Sequence, residues 1–183
     1  MQRDLVVITG PVGGGKSTVA LALAEHLRRT GRTAAVIDLD LVYCMARQGD
    51  DYGEDYTWAT ARRGAAALAD AFFADGLDAV VIEGEFFTPD EFATLREALA
   101  TPAGWTFVTL EASYEQALVR VAGDPTRGMS RDADFLRRLH EQFQRALPYL
   151  RASSLVVDAD SRTPDELAKE ISSALPTRQA PAV

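Results

Sequence analysis

The chain has 183 residues, of which 47% are hydrophobic and 25% are charged, and its formal net charge is −8. This size and balance are typical of one folded domain and exclude general disorder. The acidic charge disfavours binding to nucleic acid or to an anionic membrane, and the single cysteine, Cys44, excludes an internal disulfide. No apolar run reaches the roughly 18 residues of a membrane span. We therefore expect a cytoplasmic protein whose partner is a small molecule.

Five short apolar runs recur along the chain, and each is followed by a helix-like stretch. The runs are continuous rather than alternating, as in strands that helices cover on both faces. The pattern therefore predicts an α/β doubly wound sheet with parallel crossovers, in a single domain over residues 1–175. The five runs are residues 5–8, 34–37, 79–82, 107–110 and 155–157.

Helix boundaries are indicated by threonine and proline. The sequence Thr-Pro-Asp-Glu occurs at 88–91 and again at 163–166. In both places it offers an N-cap threonine, a proline at the first helical position and a glutamate that completes a capping box. Pro148 is predicted to end the helical stretch before it, because proline lacks the backbone donor that a helix interior needs. Residues 176–183 are predicted to form a flexible tail.

A phosphate-binding loop follows the first predicted strand. Its residues match the pattern GxxxxGK(S/T) between a buried strand and an amphipathic helix. Glycines let several backbone N–H groups turn towards a polyphosphate, and the helix N-terminus adds a positive end. We expect Lys16 to bridge the β- and γ-phosphates of ATP and Ser17 to ligate Mg²⁺. The predicted nucleotide-binding residues here are Gly10, Pro11, Val12, Gly13, Gly14, Gly15, Lys16, Ser17 and Thr18.

Two aspartates end the second predicted strand. If the chain stays extended through Asp38 and Asp40, strand alternation places both carboxylates on one face, directed towards the γ-phosphate. Asp38 is then predicted to hold Mg²⁺ through water. Asp40 is predicted to accept the proton of an acceptor hydroxyl and to orient that oxygen for attack. The alternative is a solvated strand end or a helix N-cap, since aspartate is favoured at both.

Two glutamates follow the third predicted strand. Glu83 and Glu85 are candidates for the substrate site, and Glu83 is also a candidate for the surroundings of the metal or for a competing base. Gly84 between them permits close approach of the backbone to a substrate. The alternative is that Glu83 ends the strand and that Glu85 is solvated.

Two arginines are candidates for the nucleotide and the moving phosphoryl group. Arg120 lies late in the helix after the fourth strand, and Arg127 lies in a Gly- and Pro-containing loop at about 123–131. A lid arginine stabilises the negative charge of the transition state and excludes water. The alternative is that both are ordinary surface residues.

These motifs resemble those of the small P-loop kinases that include shikimate kinase, gluconate kinase, adenylylsulfate kinase and chloramphenicol phosphotransferase. The resemblance rests on residues 10–18, on Asp38 and Asp40, and on Arg120 followed by Arg127. It implies a three-layer α/β/α sandwich with a five-stranded parallel sheet, a mobile lid around Arg127, and contact between Asp40 and the acceptor hydroxyl. The chain departs from shikimate kinase at 83–85, which is not a glycine-rich turn, so the substrate does not follow from the resemblance.

The resemblance also places the acceptor site at about 41–63. Tyr43, Trp58 and Arg62 in this segment are candidate acceptor contacts. The acids around them favour a neutral polyhydroxy compound or a cation. The alternative is a solvated helix pair with some core aromatics.

The predicted activity is transfer of the γ-phosphoryl group of ATP to a hydroxyl of a small molecule. One alternative is a nucleoside monophosphate kinase, whose anionic acceptor needs an arginine clamp rather than a base. Arg62 and Arg63 keep this alternative open, whereas Asp40 argues against it. A second alternative is a nucleotide-binding module without catalysis, which requires neither a base nor a lid arginine.

Overall fold

The structure is a computed structural model, and it describes residues 2–46, 55–125 and 128–176. Five strands form one sheet in the order β2-β3-β1-β4-β5, and every pair is parallel. This confirms the predicted α/β fold with a five-stranded parallel sheet. The strands are β1 (Asp4–Thr9), β2 (Ala34–Asp38), β3 (Ala79–Glu83), β4 (Gly104–Glu111) and β5 (Leu155–Asp158).

Helices connect the strands and cover both faces of the sheet. Alternate residues of β1 point to two separate cores: Leu5 and Val7 belong to one, and Val6 and Ile8 to the other. The described part of the chain thus forms three layers, with the sheet in the middle. Its helices are α1 (Lys16–Arg29), α2 (Leu39–Ala46), α3 (Asp55–Ala74), α4 (Pro89–Ala98), α5 (Tyr114–Ala122), α6 (Ala133–Ser153) and α7 (Pro164–Ala174), with a 3₁₀ turn at Met129–Arg131.

The two Thr-Pro-Asp-Glu sequences begin α4 and α7 with complete capping boxes, as predicted. The prediction for Pro148 is wrong, because α6 continues through it to Ser153. Buried side chains on both sides of Pro148, among them Phe143 and Leu150, pack into the core and keep the helix together. This packing offsets the one backbone hydrogen bond that proline removes.

Three further predictions concern the C-terminal tail, membrane spans and the division into domains. The predicted tail lies outside the described residues except for Pro176. Among the described residues, no helix has both the length and the apolar content that crossing a membrane requires. The division into one domain at 1–175 stays a prediction.

A buried ion pair lies at the amino end of the sheet, opposite the predicted phosphate loop. Asp4 begins β1 and is fully buried. Its Oδ2 accepts a hydrogen bond from Nη2 of Arg32 at 2.5 Å, and the same nitrogen donates to the carbonyl of Asp78 at 3.2 Å. The pair fixes the start of β1 against the turn before β2.

We predict that Arg32→Met lowers the free energy of unfolding by about 3–5 kcal/mol, because it leaves a buried carboxylate without its counter-charge. Urea denaturation monitored by circular dichroism measures this loss. The matched control is Arg145→Met, which removes an exposed arginine of α6 and is expected to change stability by no more than about 0.5 kcal/mol. Equal effects of the two substitutions would contradict the role of the buried pair.

Candidate active site

The phosphate loop joins β1 to α1 at the carboxyl end of the sheet. Gly13 and Gly15 have φ angles of 75° and 94°, in the left-handed region that favours glycine. A Cβ on Gly13 would lie 2.9 Å from the carbonyl oxygen of Ala117, so the loop also packs closely on α5. Gly15 is the residue from which α1 begins, and Ser17 and Thr18 lie exposed in the first turn. The backbone therefore presents a helix N-terminus and a glycine-rich loop on one side.

Lys16 lies over this loop. Its Nζ donates hydrogen bonds to the carbonyls of Gly10 at 3.1 Å and Pro11 at 3.2 Å. These contacts hold the ammonium beside the backbone that is predicted to bind phosphate. The predicted contact of Lys16 with the β- and γ-phosphates stays a prediction.

The chain after β2 differs from the prediction. It does not stay extended, because β2 ends at Asp38 and α2 begins at Leu39. Oδ1 of Asp38 accepts hydrogen bonds from the backbone N–H groups of Asp40 at 2.8 Å and Leu41 at 3.3 Å, so Asp38 caps the helix. Asp40 is exposed in the first turn of α2. The two aspartates therefore reach the site from a helix start and not from one face of a strand.

Glu83 ends β3 in the middle of this region. Its Cα lies in register with Asp38 on β2 and with Ile8 on β1, and only 4% of the residue is exposed. Burial raises the pKa of Glu83 from 4.5 to about 7. The Lys16 ammonium and the Ser17 hydroxyl oppose this rise in pKa, whereas the carboxylates of Asp38 and Asp40 add to it. The chain thus keeps a buried carboxyl group beside the phosphate loop, with a pKa near neutrality.

Glu85 lies two residues further on and belongs to the same electrostatic cluster. Burial raises its pKa, Asp40 and Glu91 raise it further, and Lys16 and Arg62 lower it. Among the described residues, no hydrogen bond to the Glu85 carboxylate occurs. Burial and the neighbouring carboxylates therefore favour the neutral form of the Glu85 side chain.

Thr9 fixes the loop after β3, which carries Glu85. Its hydroxyl accepts a hydrogen bond from the N–H of Phe86 at 3.0 Å and donates to the carbonyl of Phe86 at 3.2 Å. The N–H of Gly84 donates to the carbonyl of Ile8 at 3.1 Å. No sequence motif points to Thr9, because a threonine at a strand end is not distinctive.

Arg120 lies against the outer side of the phosphate loop. Its Nη1 donates to the carbonyl of Gly14 at 3.1 Å, and its Nη2 donates to the carbonyl of Ala159 at 2.5 Å. It therefore joins the loop to the turn after β5, and its predicted contact with the nucleotide stays a prediction. Arg127 lies outside the described residues, and its predicted role in a lid stays a prediction.

The predicted acceptor residues have packing partners of their own. Tyr43 is fully buried, and its ring stacks on Trp58 with 4.1 Å between centroids, which joins α2 to α3. Arg62 is also buried and forms an ion pair with Glu91 at 2.6 Å. Contact of these three side chains with an acceptor stays a prediction. Residues 47–54 of the predicted acceptor segment lie outside the described residues.

The predicted magnesium ligands fit an ion that a nucleotide brings with it. Within the described ranges, no group of three or more His, Cys, Asp or Glu side chains is arranged to hold a metal by itself. Mg²⁺ commonly takes only one or two protein oxygens and fills its other positions with phosphate and water. The Ser17 hydroxyl at the loop and the second carboxylate oxygen of Asp38 suit that role.

The comparison with protein families agrees with this geometry. The family model described as shikimate kinase matches residues 12–176. The chain belongs to the shikimate kinase family. As a member of this family it is an ATP-dependent phosphotransferase with a nucleotide-binding P-loop fold, which confirms the resemblance noted from the motifs.

The solved structures that share this fold include several kinases. An APS kinase from Mycobacterium tuberculosis, in complex with AMPPNP and APS, has a TM-score of 0.66 at 21% identity and covers 94% of this chain and 96% of its own. A gluconokinase from Sinorhizobium meliloti 1021 has a TM-score of 0.61 at 22% identity and covers 93% of this chain and 91% of its own. A shikimate kinase from Acinetobacter baumannii, in complex with shikimate, has a TM-score of 0.62 at 20% identity and covers 96% of this chain and 97% of its own. At these sequence identities, the similarity of the three structures to this chain shows only that they share its fold. No curated protein matches the chain.

The raised pKa of Glu83 predicts a pH-dependent stability. Between about pH 4.5 and 7 the folded protein binds more protons at Glu83 than the unfolded chain does, so this glutamate lowers the free energy of unfolding as the pH rises. Glu83→Gln removes the charge. We therefore expect the variant to match the wild type near pH 4 and to exceed its stability by on the order of 3 kcal/mol near pH 8.5.

Urea denaturation in metal-free buffer at both pH values measures this difference. Glu97→Gln, which changes an exposed glutamate of α4, serves as the control and should show no such dependence on pH. A difference between Glu83→Gln and wild type that stays constant with pH would contradict the raised pKa.

Proposed function

We propose that the protein transfers the γ-phosphoryl group of ATP to a hydroxyl group of a small molecule, with Asp40 as the general base. The observation that carries this proposal is the cluster of carboxylates around the phosphate-loop lysine. Lys16 and Asp40 both interact electrostatically with Glu83 and with its neighbour Glu85. A site that only bound nucleotide would have no need of these carboxylates beside the position of the γ-phosphate.

The phosphate loop grips the nucleotide in this proposal. Backbone N–H groups of the loop and the N-terminus of α1 face the phosphates, and Lys16 exchanges its contacts with Gly10 and Pro11 for the β- and γ-phosphates. When bound, Mg²⁺ neutralises phosphate charge. Ser17 and Asp38 are the residues that would hold it. Arg120 supports the loop from behind by its hydrogen bond to Gly14.

Asp40 acts on the acceptor. Its place in the first turn of α2, on the exposed side of the site, leaves it accessible to a molecule that enters from solvent. The carboxylate accepts the hydroxyl proton as the oxygen attacks the γ-phosphorus, and the bond from that phosphorus to the β–γ bridging oxygen breaks so that ADP leaves. Glu83 is the competing candidate for the base, because a pKa of about 7 suits proton transfer near neutral pH. Its burial beside Ser17 favours instead a role in ordering the metal and its water.

Several further features support a hydroxyl acceptor. Among the neighbouring structures are a gluconokinase and a shikimate kinase in complex with shikimate. A nucleoside monophosphate would need an arginine clamp. Of the two arginines that keep that alternative open, Arg62 is engaged by Glu91, whereas Arg63 is exposed and donates a hydrogen bond to Thr60. Arg127 would stabilise the transferring phosphoryl group from the lid.

The test is acceptor-stimulated ADP release with sugars, shikimate-like acids, nucleosides and hydroxylated antibiotics, followed by ³¹P NMR of the product. With an acceptor found in this way, Asp40→Asn is expected to lower kcat by about 10²-fold or more, because the amide cannot take the proton. Glu83→Gln is expected to raise the KM for Mg-ATP more than it lowers kcat.

Asp165→Asn is the matched control, because Asp165 also lies in the first turn of a helix, α7, and should leave kcat unchanged. Full turnover in Asp40→Asn together with a large loss of kcat in Glu83→Gln would reverse the assignment of the base. Phosphorylation of a nucleoside monophosphate in place of every hydroxyl compound would contradict the proposed function.

A further inference from the structure

A second cavity site lies between α4 and α6, over β4. Its volume is about 330 Å³, at the lower end of the range of about 300–1,000 Å³ that small-molecule sites occupy. Its lining includes Phe92, Ala93 and Arg96 of α4, Phe107 of β4 and Tyr149 of α6. None of the residues that line it belongs to the phosphate loop or to the predicted metal and acceptor sites. The cavity is therefore separate from the candidate active site.

Aromatic rings form the walls of this cavity. Phe92 packs edge-on against Phe107 with 4.7 Å between ring centroids, and it meets Tyr149 at 6.2 Å. Trp105, two residues before Phe107 on the same face of β4, stacks on Phe107 at 5.7 Å. Phe92 is buried, whereas the other three rings are only partly buried. A group of half-exposed rings of this kind commonly marks a binding site.

Arg96 lies over two of these rings. Its guanidinium carbon is 5.3 Å from the centroid of Phe107 and 5.4 Å from that of Trp105, so cation–π contacts hold the charge at the cavity. The arginine is exposed, and within the described part of the chain it forms neither a hydrogen bond nor an ion pair. Its N–H donors are therefore available to a carboxylate, which a guanidinium binds with two parallel hydrogen bonds.

Glu97 limits the charge that the cavity accepts. It follows Arg96 on α4, lines the same cavity and is exposed. Its carboxylate offsets part of the positive potential of Arg96, so a ligand with two negative charges would be repelled. One aromatic ring system with a single carboxylate matches both the walls and the charge of the cavity.

We propose that this cavity binds a small aromatic carboxylate, whose ring packs against Phe92, Phe107 and Tyr149 and whose carboxylate pairs with Arg96. Burial of the apolar ring supplies most of the binding free energy, and Arg96 supplies the preference for negative charge. The site does not depend on the proposed phosphoryl transfer, so each of the two proposals can fail without the other.

Two-dimensional ¹H–¹⁵N NMR of the whole chain, titrated with 2-naphthoate, tests the site. The chain has two tryptophans and therefore two indole N–H signals, which the variant Trp105→Phe assigns. Trp105 lies beneath Arg96, whereas Trp58 stacks on Tyr43 and serves as an internal control. We expect the Trp105 signal to move saturably and the Trp58 signal to stay in place. Absence of saturable movement at Trp105 would overturn the proposal.

The role of Arg96 is tested with 2-naphthylmethanol and 2-naphthylmethylamine, the neutral and cationic counterparts of 2-naphthoate. We expect 2-naphthoate to bind at least about fivefold more tightly than the alcohol, and the amine to bind more weakly than the alcohol. Arg96→Gln should abolish this preference while the alcohol still binds. Glu97→Gln should tighten the binding of 2-naphthoate by about twofold, because it removes a like charge.

Arg145→Gln, which removes an exposed arginine of α6, is the matched control and should leave all three affinities unchanged. Equal affinities for the three compounds, or equal effects of Arg96→Gln and Arg145→Gln, would overturn the proposal. A second copy of the chain is the competing occupant, and sedimentation equilibrium measures it. A monomer mass that neither 2-naphthoate nor Arg96→Gln changes supports the small-molecule site. A dimer that Arg96→Gln dissociates would overturn the proposal in favour of self-association.

Discussion

The site depends on one positive charge placed among carboxylates at the carboxyl edge of a parallel sheet. The ammonium of Lys16 rests on the carbonyls of Gly10 and Pro11, and the strand order puts β3 directly between β1 and β2. Residues at the ends of these three strands therefore meet at a single edge. Asp38 and Glu83 lie in register there, at the same edge as the N-terminus of α1, which we propose faces the phosphates of ATP.

The buried carboxyl group of Glu83 at this edge lowers the stability of the folded protein. Burial raises the pKa of Glu83 to about 7, so the folded state is penalised wherever that group must ionise. Other contacts hold the loop in place: Thr9 binds both polar atoms of the Phe86 backbone, and Arg62 with Glu91 fixes the turn into α4. Rigid support of this kind is what a site needs if its charged groups are to keep their geometry.

Local sequence patterns predicted the helices and strands, whereas long-range contacts determine much of the geometry of the site. Continuous apolar runs, the glycine-rich loop and the two capping boxes each act within a few residues, and all were found where the sequence placed them. Pro148 was misjudged because tertiary packing overrides its local effect. The pairing of Arg62 with Glu91, 29 residues apart, is set by how α3 meets α4, and no pattern in one sequence predicts such a contact.

Calorimetric titration with magnesium and a non-hydrolysable ATP analogue tests the central claim most directly, because every later step requires the nucleotide on the phosphate loop. The account predicts saturable binding of one equivalent to the wild type, weakened by at least about tenfold in Lys16→Ala, whose fold is checked by circular dichroism. Absence of binding heat in the folded wild type, or equal affinity in the two proteins, would contradict it.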